Sequence, residues 1–237
     1  MSGRRYSAAG DAIASEKPVA VRRYRAFTRL NHWVMALSMI LLILSGFALF
    51  EPSLFFLTGI FGGGQTARWL HPFLGLVLFL SFLSMFIQLW RLNLPAREDG
   101  KWLANLDAVI KGEEERLPEL GKYNAGQKVV FWGMAGLILV MLVTGAMMWV
   151  EYVPLWAEYA PALATIPARR IALALHALAA FGTVMILIVH IYAAFWTRGT
   201  LSAMTRGTVS GGWAFRHHRK WFRELAKRAG NRAGPAE

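Results

Sequence analysis

Cysteine is absent from all 237 residues. That excludes disulfides, cysteine-bound iron–sulfur clusters, thiolate zinc sites and covalent cofactor attachment through a C-x-x-C-H motif. Any metal held by this chain must rest on histidine, methionine, carboxylate or backbone. Charge is scarce too: Asp, Glu, Lys and Arg make up 17% of the residues, against roughly 25% in a soluble domain. Phosphate-binding signatures are missing as well. Gly62-Gly63-Gly64 reads as a flexible turn without the rest of such a motif. No internal repeat and no low-complexity tract is legible.

The deepest deficit lies inside four long apolar blocks, at about His32–Phe50, Leu70–Trp90, Val129–Val150 and Ile171–Trp196. None of them holds Asp, Glu, Lys or Arg. About 20 apolar residues cross a bilayer as a helix, so the blocks predict an all-α, integral membrane four-helix bundle. Hydrophobic residues make up 56% of the chain and the mean hydropathy is +0.38, in keeping with that class. The first block reads as a span and not as a cleaved signal, because its apolar run is long and a polar tail of about 30 residues precedes it.

The chain does have base, and its placement gives an orientation. The net charge is +12, all of it outside the blocks. Residues 1–30 hold seven Lys/Arg, the stretch after 197 holds nine, and the loop 91–127 holds six among several acids. The first and second blocks are joined through Arg68 alone, the third and fourth through Arg169 and Arg170. The positive-inside rule then places both termini and the 91–127 loop in the cytoplasm. The expected organisation is a basic cytoplasmic N-terminal tail over 1–30, a transmembrane unit over 31–197 and a basic amphipathic cytoplasmic tail over 198–237. Lys101–Lys111 puts Trp102, Leu103, Leu106, Val109 and Ile110 on one face, which predicts one helix in the inner interface. Trp213–Arg228 mixes aromatic and basic residues, as a helix on anionic lipid or a docking surface would. The outer loop 151–170 is rich in Tyr, Trp and Pro, as an aromatic belt requires.

Of six histidines, His32, His71, His176 and His190 lie within or at the edge of a block. Hydrocarbon penalises an ionisable group that has no partner, so each marks a functional site by default. His176 and His190 are 14 residues apart on one block. That offset is within about 40° of four full turns and spans about 21 Å along the axis, so both face one stripe at two depths. With the blocks antiparallel, His71 meets His176 near the outer surface and His32 meets His190 near the inner one. One pair per leaflet fits two haems b, each gripped by two axial imidazoles. Two such ligands leave no position for oxygen or substrate, and the remaining chemistry is electron transfer.

Plainer readings stand beside these. A membrane histidine is often an interhelical hydrogen-bond donor. His71 precedes Pro72, which suits a first helical turn. Gly46, Gly75, Gly136, Gly145 and Gly182 would open space for a flat group, or would serve close helix packing. Arg68, Arg169 and Arg170 near the outer pair, and Arg29 and Arg198 near the inner pair, could answer haem propionates or lipid headgroups. His217 and His218, flanked by Arg216 and Arg219, read as surface residues.

Particular strings carry a resemblance: RLNHW at Arg29–Trp33, LHPFLG at Leu70–Gly75, GKYNAGQKVVFW at Gly121–Trp132, LVTG at Leu142–Gly145, HIYAAFW at His190–Trp196 and GTVSGGWAFRHHRKW at Gly207–Trp221. With these the chain resembles the membrane cytochrome b (gamma) subunit of respiratory formate dehydrogenases over about residues 22–227. The resemblance implies four spans in a bacterial inner membrane and two haems b on the same four histidines. It implies a menaquinone or ubiquinone site near Asn124, Gly126 and Gln127 on the cytoplasmic side. It also implies partners on the outer face: an iron–sulfur beta subunit and a molybdenum or tungsten alpha subunit that oxidises formate. Asn124 and Gln127, three residues apart, equally form an N-cap with a capping-box partner.

Three alternatives remain from sequence. One is the cytochrome b subunit of another quinone-linked oxidoreductase, of hydrogenase or thiosulfate reductase type. The others are a proton-coupled transporter, which would want acidic residues at mid-membrane, and a passive membrane anchor without haem.

Overall fold

The structure, a computed structural model, describes residues 19–149 and 158–233. The Tyr- and Trp-rich part of the outer loop at 151–157 and the bases Arg4, Arg5 and Lys17 lie outside the described residues. In chain order the elements are β1 (Ala20–Arg22), α1 (Ala26–Phe50), α2 (Gly64–Leu89), α3 (Arg97–Ala104), α4 (Leu106–Lys111), α5 (Ala125–Met148), α6 (Ile166–Trp196), α7 (Thr200–Thr205), β2 (Thr208–Ser210), α8 (Gly211–His217) and α9 (Arg219–Ala233).

Four helices, α1, α2, α5 and α6, are long and apolar enough to cross a membrane. Each begins at least a turn before its apolar block, and in α5 and α6 a side-chain cap satisfies the first turn. Asn124 Oδ1 accepts from Gln127 N at 2.8 Å at the start of α5, and Thr165 Oγ1 accepts from Ala168 N at 3.4 Å at the start of α6. The early start of α2 corrects one expectation. Pro72 sits two turns inside the helix and not in its first turn. With no N–H to offer, it interrupts the backbone ladder beside His71.

The spans pack as two hairpins, α1 on α2 and α5 on α6, and the hairpins meet chiefly through α2 and α5. Met39, Leu78, Phe82 and Ile138 form the buried centre, at mid-height. Outward-facing side chains such as Leu80 and Leu178 remain exposed and apolar, as hydrocarbon allows. Between α1 and α2 a 3₁₀ segment, Pro52–Phe61, packs on both helices. It was not legible as an element, because ten residues is long for a 3₁₀ helix. Gly62 (φ +83°) and Gly63 (φ +107°) close it in conformations that favour glycine.

At the end of the bundle that carries the start of α1 and the end of α6, the chain builds a cap. β1 pairs antiparallel with β2, so the segment before the first span and the segment after the last share a small ribbon. The tail residues 211–229 do not depend on lipid for a partner: they dock on the acidic 97–121 loop. Lys220 Nζ meets Glu98 at 2.6 Å, Arg223 meets Glu119 at 2.8 Å, and Arg216 and His217 both meet Glu114 at 3.0 Å. The expected single helix over 101–111 is two, α3 and α4, because Asn105 Nδ2 donates to Lys101 O at 2.8 Å and ends the first. Trp102 and Val109 turn inward onto Leu120 and Ala125, whereas Leu103, Leu106 and Ile110 are exposed.

His218 is the clearest correction. It was expected at the surface and is 2% exposed. Its Nδ1 donates to Gly121 O at 2.8 Å, Nε2 faces Arg23 Nη2 at 3.4 Å, and Trp213 and Trp221 flank the ring. Burial first, and the Arg23 charge second, hold its pKa down at about 3. The unfolded chain takes up that proton near 6.5. The stability His218 contributes is therefore complete above pH 6.5 and is lost as the pH falls towards 3. The groups facing it, Arg23 and His217, are bases and do not reverse that sign. Amide protection of residues 208–225, normalised for intrinsic exchange, is expected to fall between pH 7 and pH 4.5. Unchanged protection would show that the ring is not buried as described.

Candidate functional site

The four membrane histidines come together in two pairs at opposite ends of the bundle. His71 on α2 faces His176 on α6 with ring centroids 6.4 Å apart and planes at 61°. His32 on α1 faces His190, also on α6, at 6.4 Å and 46°. α6 thus supplies one member of each pair. Close backbone approaches between α6 and either α1 or α2 are few. The ring pairs face each other across that separation.

The spacing has a chemical meaning. A metal–imidazole bond is about 2 Å, and a ring centre lies about 1 Å beyond its nitrogen, so imidazoles gripping one metal from opposite sides hold their centres roughly 6 Å apart. Both pairs fit. Among the described residues no group of three or more His, Asp or Glu could hold a metal. Two axial imidazoles suit a planar group that brings its own equatorial nitrogens.

The far-end pair, His71 with His176, has a mounting that is repeated. Ser45 Oγ on α1 lies 2.7 Å from His71 Nδ1, and Thr144 Oγ1 on α5 lies 2.9 Å from His176 Nδ1. The residue after each is glycine. A Cβ on Gly46 would stand 3.5 Å from His71 Cε1, and one on Gly145 would stand 3.5 Å from His176 Cε1. In both hairpins a hydroxyl-glycine dipeptide on the first helix seats a histidine on the second. Sequence reading found no repeat, because only a dipeptide and one distant histidine recur. The strings LSG and LVTG, each ahead of an LH, were the available signal.

The other glycines divide. A Cβ on Gly182 would meet Leu137 at 3.4 Å, which is ordinary helix packing, whereas Gly75 and Gly136 border open space. The cap-end pair is mounted otherwise. His32 Nδ1 is buried without a hydrogen-bond partner, and the neighbouring Trp33 Nε1 donates to Met204 O at 3.2 Å. Arg29, a candidate propionate partner, donates instead to Thr205 O at 2.6 Å and helps lock α1 to the cap. Arg68, Arg170 and Arg198 are exposed, and Arg169 is half-buried.

Asn124, Gly126 and Gln127 lie at the cap end of α5. Asn124 and Gln127 form the reciprocal capping box: Gln127 Oε1 accepts from Asn124 N at 3.1 Å. Both side-chain oxygens are spent on backbone. The amide nitrogens Nδ2 and Nε2 make no hydrogen bond among the described residues. A Cβ on Gly126 would stand 3.1 Å from Trp102 Cη2, so this glycine admits the indole of α3. Among the described residues no hydrogen bond or ring contact joins this corner to His190.

Comparison with known proteins agrees with the geometry. Residues 23–207 match the family described as prokaryotic cytochrome b561. The chain is 42% identical over 205 residues to the cytochrome b556(fdo) subunit of formate dehydrogenase from Escherichia coli K12, covering 86% of this chain and 93% of that one. It is 38% identical over 215 residues to the nitrate-inducible cytochrome b556(Fdn) subunit of the same organism, covering 89% and 94%. It is 37% identical over 202 residues to the formate dehydrogenase cytochrome b556 subunit of Haemophilus influenzae, covering 85% and 82%. Such a family implies haem b, and with four spanning helices it implies a bacterial inner membrane protein. The chain belongs to the prokaryotic cytochrome b561 family, among the cytochrome b subunits of formate dehydrogenases.

Proposed function

We propose that this chain carries electrons from an iron–sulfur partner on the outer face, through two haems b, to a quinone near the cytoplasmic side. His71 and His176 would hold the outer haem, and His32 and His190 the inner one. The haems supply one-electron chemistry. The chain supplies ligands, spacing and surroundings. The observation that carries the reading is the pair of matched imidazole couples, each at 6.4 Å, with α6 contributing to both. The basic cap marks the cytoplasmic end by the positive-inside rule, so both termini are cytoplasmic. Formate oxidation belongs to an alpha subunit with molybdenum or tungsten, since this chain has no cysteine and, among the described residues, no extramembrane unit beyond the cap.

Menaquinone or ubiquinone is assigned to the corner formed by Asn124, Gly126 and Gln127. The two amide nitrogens left over from the capping box are the donors that a quinone carbonyl needs. Asn124→Ser separates capping from quinone contact, because serine caps as well as asparagine. Intact helix stability with a quinone KM raised about tenfold, the loss of one hydrogen bond of about 1.4 kcal/mol, is expected. An unchanged KM would leave Asn124 a cap and nothing more.

The whole proposal is tested on the complex purified through this chain. Formate is expected to reduce both haems, and added quinone to reoxidise them. Reduction by hydrogen, and not by formate, would favour the hydrogenase type, and reoxidation of quinol-reduced haems by thiosulfate would favour the thiosulfate reductase type.

A further inference from the structure

The two histidine pairs differ in what touches the ring nitrogen Nδ1. At the far end each of those nitrogens meets a hydroxyl, Ser45 at 2.7 Å and Thr144 at 2.9 Å. A hydroxyl has a single hydrogen, and both hydroxyls also reach the carbonyl one turn back. Ser45 donates to Leu41 O at 2.8 Å and Thr144 to Val140 O at 2.7 Å. A carbonyl can only accept. With its hydrogen given there, each hydroxyl offers the ring a lone pair, so Nδ1 carries the proton and Nε2 is left bare. At the cap end nothing equivalent exists among the described residues. His32 Nδ1 is buried and unpartnered, and His190 makes no hydrogen bond.

We infer that Ser45 and Thr144 are positioning residues that set the potential of the outer haem below that of the inner one. The inference rests on the two-haem reading above. An acceptor on Nδ1–H raises the electron density that the imidazole passes to its metal, which favours the oxidised iron. Two such acceptors act on the outer pair and none on the inner pair. The resulting order would let electrons run downhill from the outer face to the quinone side, and it is written into two side chains that act through the imidazoles they touch.

The test is a redox titration of the purified full chain, followed optically, with haem counted. In a His190→Ala background only the outer haem should remain, which gives its midpoint alone. Thr144→Val and Ser45→Ala are each expected to shift that midpoint upward, and the pair of changes to shift it further. Thr144→Ser and Ser45→Thr keep the hydroxyl and should restore the original value. In the otherwise unaltered chain the inner midpoint should lie above the outer one and stay put in all five variants. Retained haem with an unmoved outer midpoint would overturn this inference and leave the two-haem reading standing. Loss of haem in both hydroxyl-deleted variants would also overturn it, because the hydroxyls would then only hold the rings in place. A chain that binds no haem before any substitution would sink the reading beneath.

Discussion

His190→Ala is expected to remove one of two haems and to abolish quinone reduction, while the other haem still takes electrons from the partner. α6 carries both His176 and His190, about 21 Å apart along its axis. Truncating one leaves the other mounted on Thr144 and Gly145, far from the change. Mutating only the groups that support a metal ligand costs about 10–100-fold in affinity, so losing the ligand itself should exceed that range. Formate-to-quinone turnover should drop more than about 100-fold with the remaining haem still reducible. The alanine change also removes side-chain bulk, and His190→Leu, which refills much of it without a donor atom, separates lost volume from a lost imidazole. Normal quinone turnover in His190→Ala would show that the electron path runs elsewhere.

The second large effect is expected outside the membrane. Arg23 is 5% exposed, with its guanidinium carbon 5.1 Å from the Trp213 and Trp221 rings, 5.6 Å from Tyr123 and 5.7 Å from Tyr24. Nη2 donates to Lys122 O at 2.6 Å, and Lys122 Nζ returns a bond to Arg23 O at 3.1 Å. One side chain therefore ties β1, the loop before α5, α8 and α9 together. A desolvated cation–π contact is worth about 2 kcal/mol, and a hydrogen bond from a charged group about 1.5–3 kcal/mol. Arg23→Ala should thus cost the cap about 4 kcal/mol, enough to release residues 208–225 to protease. Arg23→Lys should recover only part of this, since a lysine lacks the planar fork. The haem content of Arg23→Ala should fall little at the far end and more at the cap end, where Arg29 and Trp33 connect α1 to the cap. A tail that stays resistant in Arg23→Ala would mean that the aromatic ring cluster holds without its cation.

Arg23 repels its neighbour too. Burial, and then the Arg23 charge, bring the Lys122 amine down to about 8. The stability this contributes is full above the unfolded value of about 10.4 and is lost as pH falls from there to about 8. It acts in the same direction as His218, so lowering the pH weakens the cap at two separate steps, one alkaline and one acid.

The bundle and the depth-matched histidines were legible from sequence because both rest on strict physical periods: the bilayer thickness fixes span length, and 3.6 residues per turn fixes which side chains share a stripe. The capping box at Asn124 and Gln127 was legible for the same reason, a local rule at fixed spacing. The cap was not. Its ribbon pairs residues nearly 190 positions apart, Ala20 with Ser210 and Arg22 with Thr208, and three-residue strands carry no pattern of their own. His218 read as surface because of the charged residues beside it; only a folded ring of aromatics from distant segments makes its burial, and that of Arg23, tolerable. The basic tail read equally as a helix on anionic lipid or as a docking surface, because its amphipathic pattern is the same whether the polar face meets headgroups or Glu98, Glu114 and Glu119. Ser45 and Thr144 were invisible as histidine partners, since small hydroxyl residues in a membrane helix usually bond only their own backbone.

The central claim is that two imidazole couples on one four-helix chain each hold a haem. A reduced-minus-oxidised absorption spectrum of the purified chain, with haem quantified per polypeptide, tests it most directly. Two haems b per chain, falling to one in His71→Ala and to one in His190→Ala, is the predicted result. A folded chain, prepared with ample haem, that shows no Soret band or keeps both haems in either variant would contradict it.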